Sequence, residues 1–455
     1  MRSSRRNFMR KASLGAAGLM VTGHSSTFGF SASSYRKIMG ANDRVRVGII
    51  GFSDRFRSSL LPSFLAVNKQ LNFEITALSD IWRLRREEGQ AYLKNKSGSA
   101  IAVYPNNEAL YQAGNTDAVI ISTADFQHAV HLTEAVRAGR DAYVEKPFAE
   151  TMEDNRNALR AVKETGKIVQ VGSQRRSGLN YKAAAEFIQS GQFGPVTMVE
   201  LTWNVNQPGR WRRLEAVKKM QEADTDWKRY LINRPFEPFN ARKHLEFRLF
   251  WPYSSGLPGQ WMSHQIDTVH WFTGYQHPRS VVANGGIYWW KDGRENWDTI
   301  TAVFDYGPAQ DPGNGFQVTF ASRMHNGDEN PKEVYYSNGG EMNLNTNKVS
   351  GAGGLREEFA RAMNLGANIL NEKDLGQVQK VETAADTGGD YLTTAHMKNW
   401  MECVRSRKQS NAPAEAGYAH SVACIMTTAA VRTGARATFD PVNQEVLAGG
   451  KIFHI

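Results

Sequence analysis

Two stretches of this chain hold side chains whose type and setting suit proton transfer. The first is Asp141-Ala142-Tyr143-Val144-Glu145-Lys146-Pro147, a short apolar strand that ends in an acid, a lysine and a proline. The carboxyl end of a strand in an open α/β sheet borders the crevice where such folds bind ligands. Pro147 keeps Lys146 out of the helical region, so the ammonium leaves the strand in a fixed direction. The second is "GLPGQWMSHQIDTVHWFTG" at 256–274. From Met262 it reads as a helix, placing His264, Asp267 and His270 at i, i+3 and i+6. Residues three apart are helix neighbours, so Asp267 can hold the His264 imidazole as a carboxylate orients a general base. A metal cluster is the other reading of the trio, although the i+6 spacing puts His270 on the opposite side of the helix.

These groups need a scaffold, and the first half of the chain supplies its pattern. Val45-Arg46-Val47-Gly48-Ile49-Ile50-Gly51 is a β-rich run that opens into a turn and a helix-like segment from Arg57. That strand–turn–helix context is the one a dinucleotide fingerprint requires. Gly51 supplies the first glycine, Ser53 stands at the second position and Phe56 at the third. The second glycine normally lets backbone approach pyrophosphate, and the third lets helix and strand pack closely. A serine is small and its hydroxyl can donate to phosphate. Asp54 sets a negative charge beside the expected anion, with Arg55 able to offset it, and Phe56 is expected to push the helix outward. Phe73 to Asp80 reads as a second strand ending in an acid, after a lengthened crossover at 62–72. An acid there accepts from ribose hydroxyls and repels a 2′-phosphate, which favours NAD over NADP; Arg83, Arg85 and Arg86 moderate the preference. Asp117 to Thr123 is a strand ending in the hydroxyls of Ser122 and Thr123, followed by Ala124-Asp125-Phe126-Gln127-His128 and a helix to Gly139. A helix at 152–165 and a strand from Lys167 to Gly172 complete the series. Strands and helices alternating at this spacing predict a parallel, doubly wound sheet.

After Gly172 the pattern changes to β alternation at 196–206, 280–290, 299–306 and 315–322, after a helix at 181–190. Between the first two of these strands lie Trp203, Trp211, Trp227, Tyr230, Arg242, Phe247, Arg248 and Trp251. Rings with polar tips and guanidinium forks suit the faces and hydroxyls of a sugar; burial as packing residues is the other expected fate for about half of them. Residues 340–390 are rich in Gly, Asn and charge and read as an insertion or flexible lobe, and two helices follow at 396–407 and 419–434.

With 455 residues, 41% hydrophobic and 22% charged, the chain has room for two or three domains with a real core. Ser4-Arg5-Arg6-Asn7-Phe8-Met9-Arg10 is a twin-arginine pattern; a weakly apolar run follows from Ala12 to Val21, with small residues near Ser31-Ala32-Ser33. That run is too short and too rich in Gly and Ala to be a permanent membrane anchor. Residues 1–32 carry five basic groups and no acid, so without them the formal charge falls from +10 to about +5. No Lys/Arg run of the phosphate-tracking kind is present, which argues against a nucleic-acid partner. Cys403 and Cys424 lie on helix-like segments and read as core residues rather than a disulfide.

The order "VGIIG", "ALSD", "ISTADFQH", "VEKP", "VGSQRR" resembles the Gfo/Idh/MocA oxidoreductases, named for glucose-fructose oxidoreductase and inositol dehydrogenase, from about Val45 to the C-terminus. The resemblance implies an α/β fold in three parts, which follow the signal peptide that the twin-arginine pattern marks at 1–33. A NAD-binding Rossmann domain spans 44–172. An α+β substrate and oligomerisation domain with a large open, mostly antiparallel sheet spans 173–392, and helices at 393–455 pack back on the Rossmann domain. It places Lys146 beside the nicotinamide and the reacting carbon, with its peptide to Pro147 often cis. The cofactor, NAD rather than NADP, is expected against Gly51, Ser53, Arg55, Phe56, Asp80, Ser122, Thr123, His128, Glu145, Lys146 and Gln174. A carbohydrate substrate is expected against Arg176, Trp203, Arg248, Gln260, Trp261 and Asp267, with Lys146 and His264 as acid/base groups and no metal. Family members carry a D-x-x-x-H element; here Gln260 stands at the aspartate position, an amide that hydrogen-bonds but takes no proton. Subunit pairing through the open sheet is expected as well.

The export signal narrows the reaction expected. A periplasm holds no pool of free NAD, so a tightly held NAD, reduced and reoxidised within one cycle, fits an exported enzyme. That predicts redox-neutral chemistry on a sugar or glycoside: transient oxidation of a ring hydroxyl followed by elimination and re-addition, or transfer between two sugars. The alternative is a sugar-binding, hydrolytic or lyase descendant that has lost NAD use, with Asp54, Phe56 and Gln260 as its marks.

Overall fold

The computed structural model describes residues 43–454 apart from 309, 312, 329 and 377–389. The twin-arginine segment at 1–33, and most of the last part of the expected lobe, lie outside the described residues.

The first sheet is built from β1 (Val45–Ile50), β2 (Phe73–Ser79), β3 (Ala102–Tyr104), β4 (Ala118–Ile121), β5 (Asp141–Val144) and β6 (Val169–Val171), in the order β3-β2-β1-β4-β5-β6. All neighbours run parallel. This is the doubly wound order whose strand-end crevice binds dinucleotides. Strands β4 and β5 are buried along their whole length, because helices cover both faces of a parallel sheet. One apolar layer packs Val47, Ile49, Phe64 and Trp400; the other packs Ile50, Val119, Leu132 and Phe148. The helix Met152–Thr165 starts at Thr151, whose side chain accepts from Asp154 N–H at 3.0 Å, and stops at left-handed Gly166. The three-residue β3 carries no alternation long enough to mark it in the sequence.

The second sheet has eleven strands. In chain order they are β7 (Val196–Thr202), β8 (Ser280–Gly286), β9 (Thr299–Tyr306), β10 (Phe316–Arg323), β11 (Lys332–Ser337) and β12 (Gly340–Asn343), then β13 (Lys348–Ser350), β14 (Lys373–Asp374), β15 (Ala437–Asp440), β16 (Glu445–Ala448) and β17 (Lys451–Ile452). Their order is β14-β13-β12-β11-β7-β10-β9-β8-β15-β16-β17, with β7 and β10 parallel and the other pairs antiparallel. Its inner face packs on the helices α1 (Ser263–Thr273) and α3 (Ala414–Thr433) around Trp261, Ile266, Phe304, Phe320 and Met426. Residues 340–376, expected as a loose lobe, add β12, β13 and β14 to one edge, and residues 437–452 add three strands to the other. Between these stretches α2 (Tyr391–Ser406) returns to the Rossmann domain, where His396 Nε2–H donates to the Val171 carbonyl at 2.7 Å. Cys403 and Cys424 are buried free thiols.

Residues 207–250 leave the second sheet after β7 and cross to the first domain. Thr225 forms a β-bridge with Trp82, Asp224 pairs with Arg83 at 2.7 Å, and Gln127 Nε2 donates to the Tyr230 carbonyl at 2.8 Å. Trp227, Tyr230, Leu249 and Tyr253 pack with Ala124 and Phe126 of the loop after β4. Trp227 is thus a packing residue of this strap, not part of a sugar-binding face. Among the described residues no helix is long and apolar enough to cross a membrane.

Candidate active site

A single cavity of about 1150 Å³ runs from the loop after β1, under the strap, to the turn before α1. At one end Gly51 closes β1 with φ +83°, and a Cβ there would lie 2.7 Å from Thr123 Cγ2, so only glycine fits. Ser53 Oγ accepts from Phe56 N–H (3.1 Å) and donates to Ser122 Oγ (3.1 Å), which donates to the Gly51 carbonyl (3.1 Å). Its proton is therefore spent inside the loop, and the opening backbone turn at Ser53, Asp54 and Arg55 is what faces the cavity. Phe56, expected to push the helix outward, instead turns into the core against Phe52, with ring centroids 6.0 Å apart. The helix opens with a wide π-turn, Phe56–Leu60, which takes up the bulky residue before regular α-helix begins at Leu61. Its side chain is not a cofactor contact.

The charges of the loop are also rearranged. Asp54 pairs with Arg213 of the strap (2.8 Å), Arg85 (3.0 Å) and Arg57 (3.4 Å). Burial works against its charge, but Arg85, Arg213 and Arg57 hold the carboxyl below its ordinary range. Glu88 shares Arg57 (2.8 Å) and Arg85 (2.9 Å), so three guanidinium groups against two carboxylates leave this corner with one net positive charge. Arg55, expected to offset Asp54, instead donates Nε to Glu145 Oε1 at 3.0 Å. At the end of β2, Asp80 lines the cavity while its oxygens accept from Phe52 N–H (2.9 Å) and Trp82 N–H (2.8 Å). Each oxygen keeps a lone pair for a ribose hydroxyl. Arg83 and Arg85 are engaged by Asp224 and Asp54, and Arg86 by the Asp80 carbonyl. None of the three stands alone to take a 2′-phosphate.

The middle of the cavity holds the lysine. Glu145 is buried, and Gly172 lies so close that a Cβ would sit 2.8 Å from Glu145 Oε2. Burial opposes the Glu145 charge, but Arg55 and Lys146 hold its carboxyl below the usual range. Gln174 lines the same wall, 3.4 Å from Glu145 Oε1. Lys146, half-buried, donates Nζ–H to the Gln260 carbonyl at 2.6 Å, and its peptide to Pro147 is cis. Burial lowers its pKa to about 8; Glu145 and Asp125 act against that fall, Arg248 and Arg55 with it. His128, expected at the cofactor, ties the loops together: its ring nitrogens face the carbonyls of Pro147 (2.8 Å) and Thr123 (3.2 Å).

The far end is aromatic. Trp203 and Trp261 stack with centroids 6.1 Å apart, Trp211 lies 5.6 Å from Trp261, and the Arg210 guanidinium sits 5.1 Å over Trp261. His264 stacks on Trp203 at 5.8 Å. Burial, then the charges of Lys146 and Arg175, push its pKa well below the ordinary value, so the imidazole is neutral. The wide turn Pro258–Met262 brings Gln260, Trp261 and His264 to one wall. There Gln260 Oε1 accepts from Arg248 Nε at 2.9 Å. Such a wall offers an apolar face with donors at its rim, the surface a sugar ring takes.

Asp267 and Arg176 do not reach this cavity. They form a two-point ion pair (2.8 and 3.0 Å), and His420 lies 3.7 Å from Asp267. Asp267 therefore does not hold His264, and the expected substrate role of both residues gives way to a buried structural pair. His270 hydrogen-bonds the Tyr306 hydroxyl at 2.8 Å, away from His264. Three residues of the site carried no sequence signal of their own. Arg210 and Arg213 lie in a polar stretch, and Asp125 reads as the acid of an ordinary helix start.

Fold and site together define a nucleotide-binding protein with a cavity lined from both a Rossmann sheet and an open, mostly antiparallel sheet. Residues 45–173 match the model of the Gfo/Idh/MocA oxidoreductase family, NAD-binding Rossmann fold. The segment is a NAD-binding domain, and the residues present fit that cofactor: the Gly51 cradle, the positive corner at Asp54 and the free face of Asp80. Over 155 residues the chain is 30% identical to a 1-carboxy-3-chloro-3,4-dihydroxycyclohexa-1,5-diene dehydrogenase of Comamonas testosteroni, covering 34% of this chain and 37% of the relative. It is 26% identical over 234 residues to a glycosyl hydrolase family 109 protein of Solibacter usitatus (48% and 52% covered). An inositol 2-dehydrogenase of Agrobacterium fabrum is 26% identical over 191 residues (42% and 54% covered). The chain thus matches between about a third and about half the length of these relatives. The fold superposes on the WlbA dehydrogenase of Bordetella pertussis, solved with NADH and UDP-GlcNAcA, with a TM-score of 0.61 and 16% identity, covering 87% of this chain and 99% of that one.

Proposed function

We propose that this protein is an exported, NAD-dependent oxidoreductase acting on a sugar or glycoside, with NAD retained through a redox-neutral cycle. The observation that carries the reading is the continuity of the cavity. One wall runs from the phosphate loop past Lys146 to the tryptophan face, so a nicotinamide and a sugar ring would meet at Lys146 and His264. Bound NAD supplies the acceptor and later the donor of a hydride at a ring carbon. Lys146, with a pKa near 8, is the group able to exchange a proton with the reacting oxygen near neutral pH. His264, held neutral, accepts a hydrogen bond from a neighbouring hydroxyl and fixes the ring against Trp203.

Retention is supported by the strap, which lies across the nucleotide arm and is pinned by Arg213–Asp54, Arg83–Asp224 and the Trp82–Thr225 bridge. The twin-arginine pattern supports export, and the relative named a glycosyl hydrolase supports chemistry without net oxidation. Two of the three features that suggested loss of NAD are accommodated: Phe56 by the π-turn and Asp54 by its three arginines. The test is to denature the purified protein and assay the supernatant for nicotinamide dinucleotide. A stoichiometric release is expected; no nucleotide together with no binding of added NAD refutes the proposal.

A further inference from the structure

The amide at position 260 leaves the acid/base wall without the carboxylate expected there, and the fold brings one from elsewhere. Asp125, in the loop after β4, is fully buried and lies directly behind Gln260. Its Oδ2 accepts from Gln260 Nε2 at 2.6 Å and from Ser254 Oγ at 2.6 Å. Its Oδ1 has no hydrogen-bond partner, and Arg248 Nε stands 3.8 Å from it. Gln260 is thereby read in one orientation only. Its NH2 meets the Asp125 carboxylate and its Oε1 meets Arg248 Nε; flipping the amide would set oxygen against carboxylate and donor against donor.

We infer that Asp125 is a positioning residue: from the Rossmann domain it supplies the carboxylate that position 260 lacks, holding Gln260 and Arg248 in the cavity wall beside Lys146. The departure at 260 then has a physical cause. An acid there would set two carboxyl groups 2.6 Å apart, which repel unless the pair takes up a proton, so an amide at 260 and an acid at 125 belong together. Through Gln260 the carboxylate also fixes the backbone carbonyl that receives Lys146 Nζ.

The charges around Lys146 come from every side. Glu145 is its chain neighbour, Asp125 follows β4, and Arg55 lies in the helix after β1. Arg248 comes from the segment before α1, and His264 and Cys424 face it from α1 and α3. Of these only Asp125 and Glu145 favour the ammonium.

The inference rests on the reading of this cavity as an acid/base site, but its test needs neither turnover nor bound NAD. The pH dependence of Lys146 acetylation by a small anhydride, which expels acetate, read by peptide mass spectrometry on the full chain, gives its ionisation directly. Asp125→Asn should lower the midpoint by about one pH unit, the size of losing one nearby opposite charge. The double variant Asp125→Asn/Gln260→Glu, which reverses the hydrogen bond, should bring it back towards wild type. A folded Asp125→Asn protein with an unmoved midpoint, or a double variant no closer to wild type than the single one, overturns the inference. Should Asp125→Asn fail to fold, Gln260→Glu alone decides: two facing carboxylates should raise the midpoint and lower thermal stability, and a variant unchanged in both overturns it. An absence of NAD in the purified protein, together with no binding of added NAD, would refute the proposed function and leave these readings unaffected.

Discussion

Replacing Lys146 by methionine removes the ammonium and keeps most of the apolar stem. Two opposing effects set its stability. The 2.6 Å hydrogen bond to the Gln260 carbonyl is charge-assisted and contributes ~1.5–3 kcal/mol. Holding the ammonium in the cavity costs at most about 3 kcal/mol, the equivalent of a pKa lowered from 10.5 to about 8; water in the cavity makes this an upper bound. The two nearly cancel, so near neutral pH the thermal midpoint should move by only a few degrees. Glu145 is not orphaned, because Arg55 stays on it at 3.0 Å. The sign with pH follows from linkage. The folded pKa lies below the unfolded one, so between about pH 8 and pH 10.5 the unfolded chain binds more protons, and wild-type stability rises with pH. The variant lacks that rise, so its stability relative to wild type should fall across the same window. Turnover should drop by about 10²–10⁴-fold, the usual contribution of a positioned acid/base group, or ~3–5 kcal/mol of barrier. Product analysis over a panel of glycosides and 3-keto-glycosides, with thermal unfolding at several pH values, reads both effects. Near-normal turnover would remove Lys146 from the mechanism, and a stability difference flat with pH would refute the depressed ammonium.

Two further variants probe the strap and the buried charge behind the aromatic end of the cavity. Arg213→Ala removes the 2.8 Å partner that the strap gives Asp54, and loss of one such pair should speed release of NAD during dialysis by roughly tenfold, the equivalent of ~1.4 kcal/mol; unchanged retention would show that the strap does not hold the nucleotide. Arg175→Met leaves Glu333 buried without its guanidinium partner, which should cost ~3–5 kcal/mol of stability. Burial already raises the Glu333 pKa, so the folded variant binds the extra proton and its loss should shrink as pH falls through that raised value. A loss independent of pH in chemical denaturation would refute this account.

The amino-acid sequence by itself determined the first domain. The apolar runs of β1, β4 and β5 are legible because a parallel sheet buries both faces of each strand, and Gly51, Asp80 and Lys146 are legible because strand ends fix where their side chains go. The aromatic end of the cavity was legible too: Trp203 and Trp261, both expected at the substrate, line it, whereas Trp227, one of the wider set of candidate rings, packs under the strap. What only the tertiary structure decided are the partnerships across long sequence separations. Asp267 lies one helical turn from His264, yet Arg176 takes it, because the two side chains leave α1 towards different elements of the fold, Asp267 to Arg176 and His264 to Trp203. Phe56 looked disruptive until a π-turn sent it into the core. Strands β12–β17 are two to four residues long and gain their identity by joining existing edges, so no local alternation announces them. Asp125 stands behind Gln260 only because the loop after β4 and the turn before α1 meet at the cavity floor. Periodicity encodes which face of an element is buried; which buried charge meets which is set by packing, and at this site packing chose the partners.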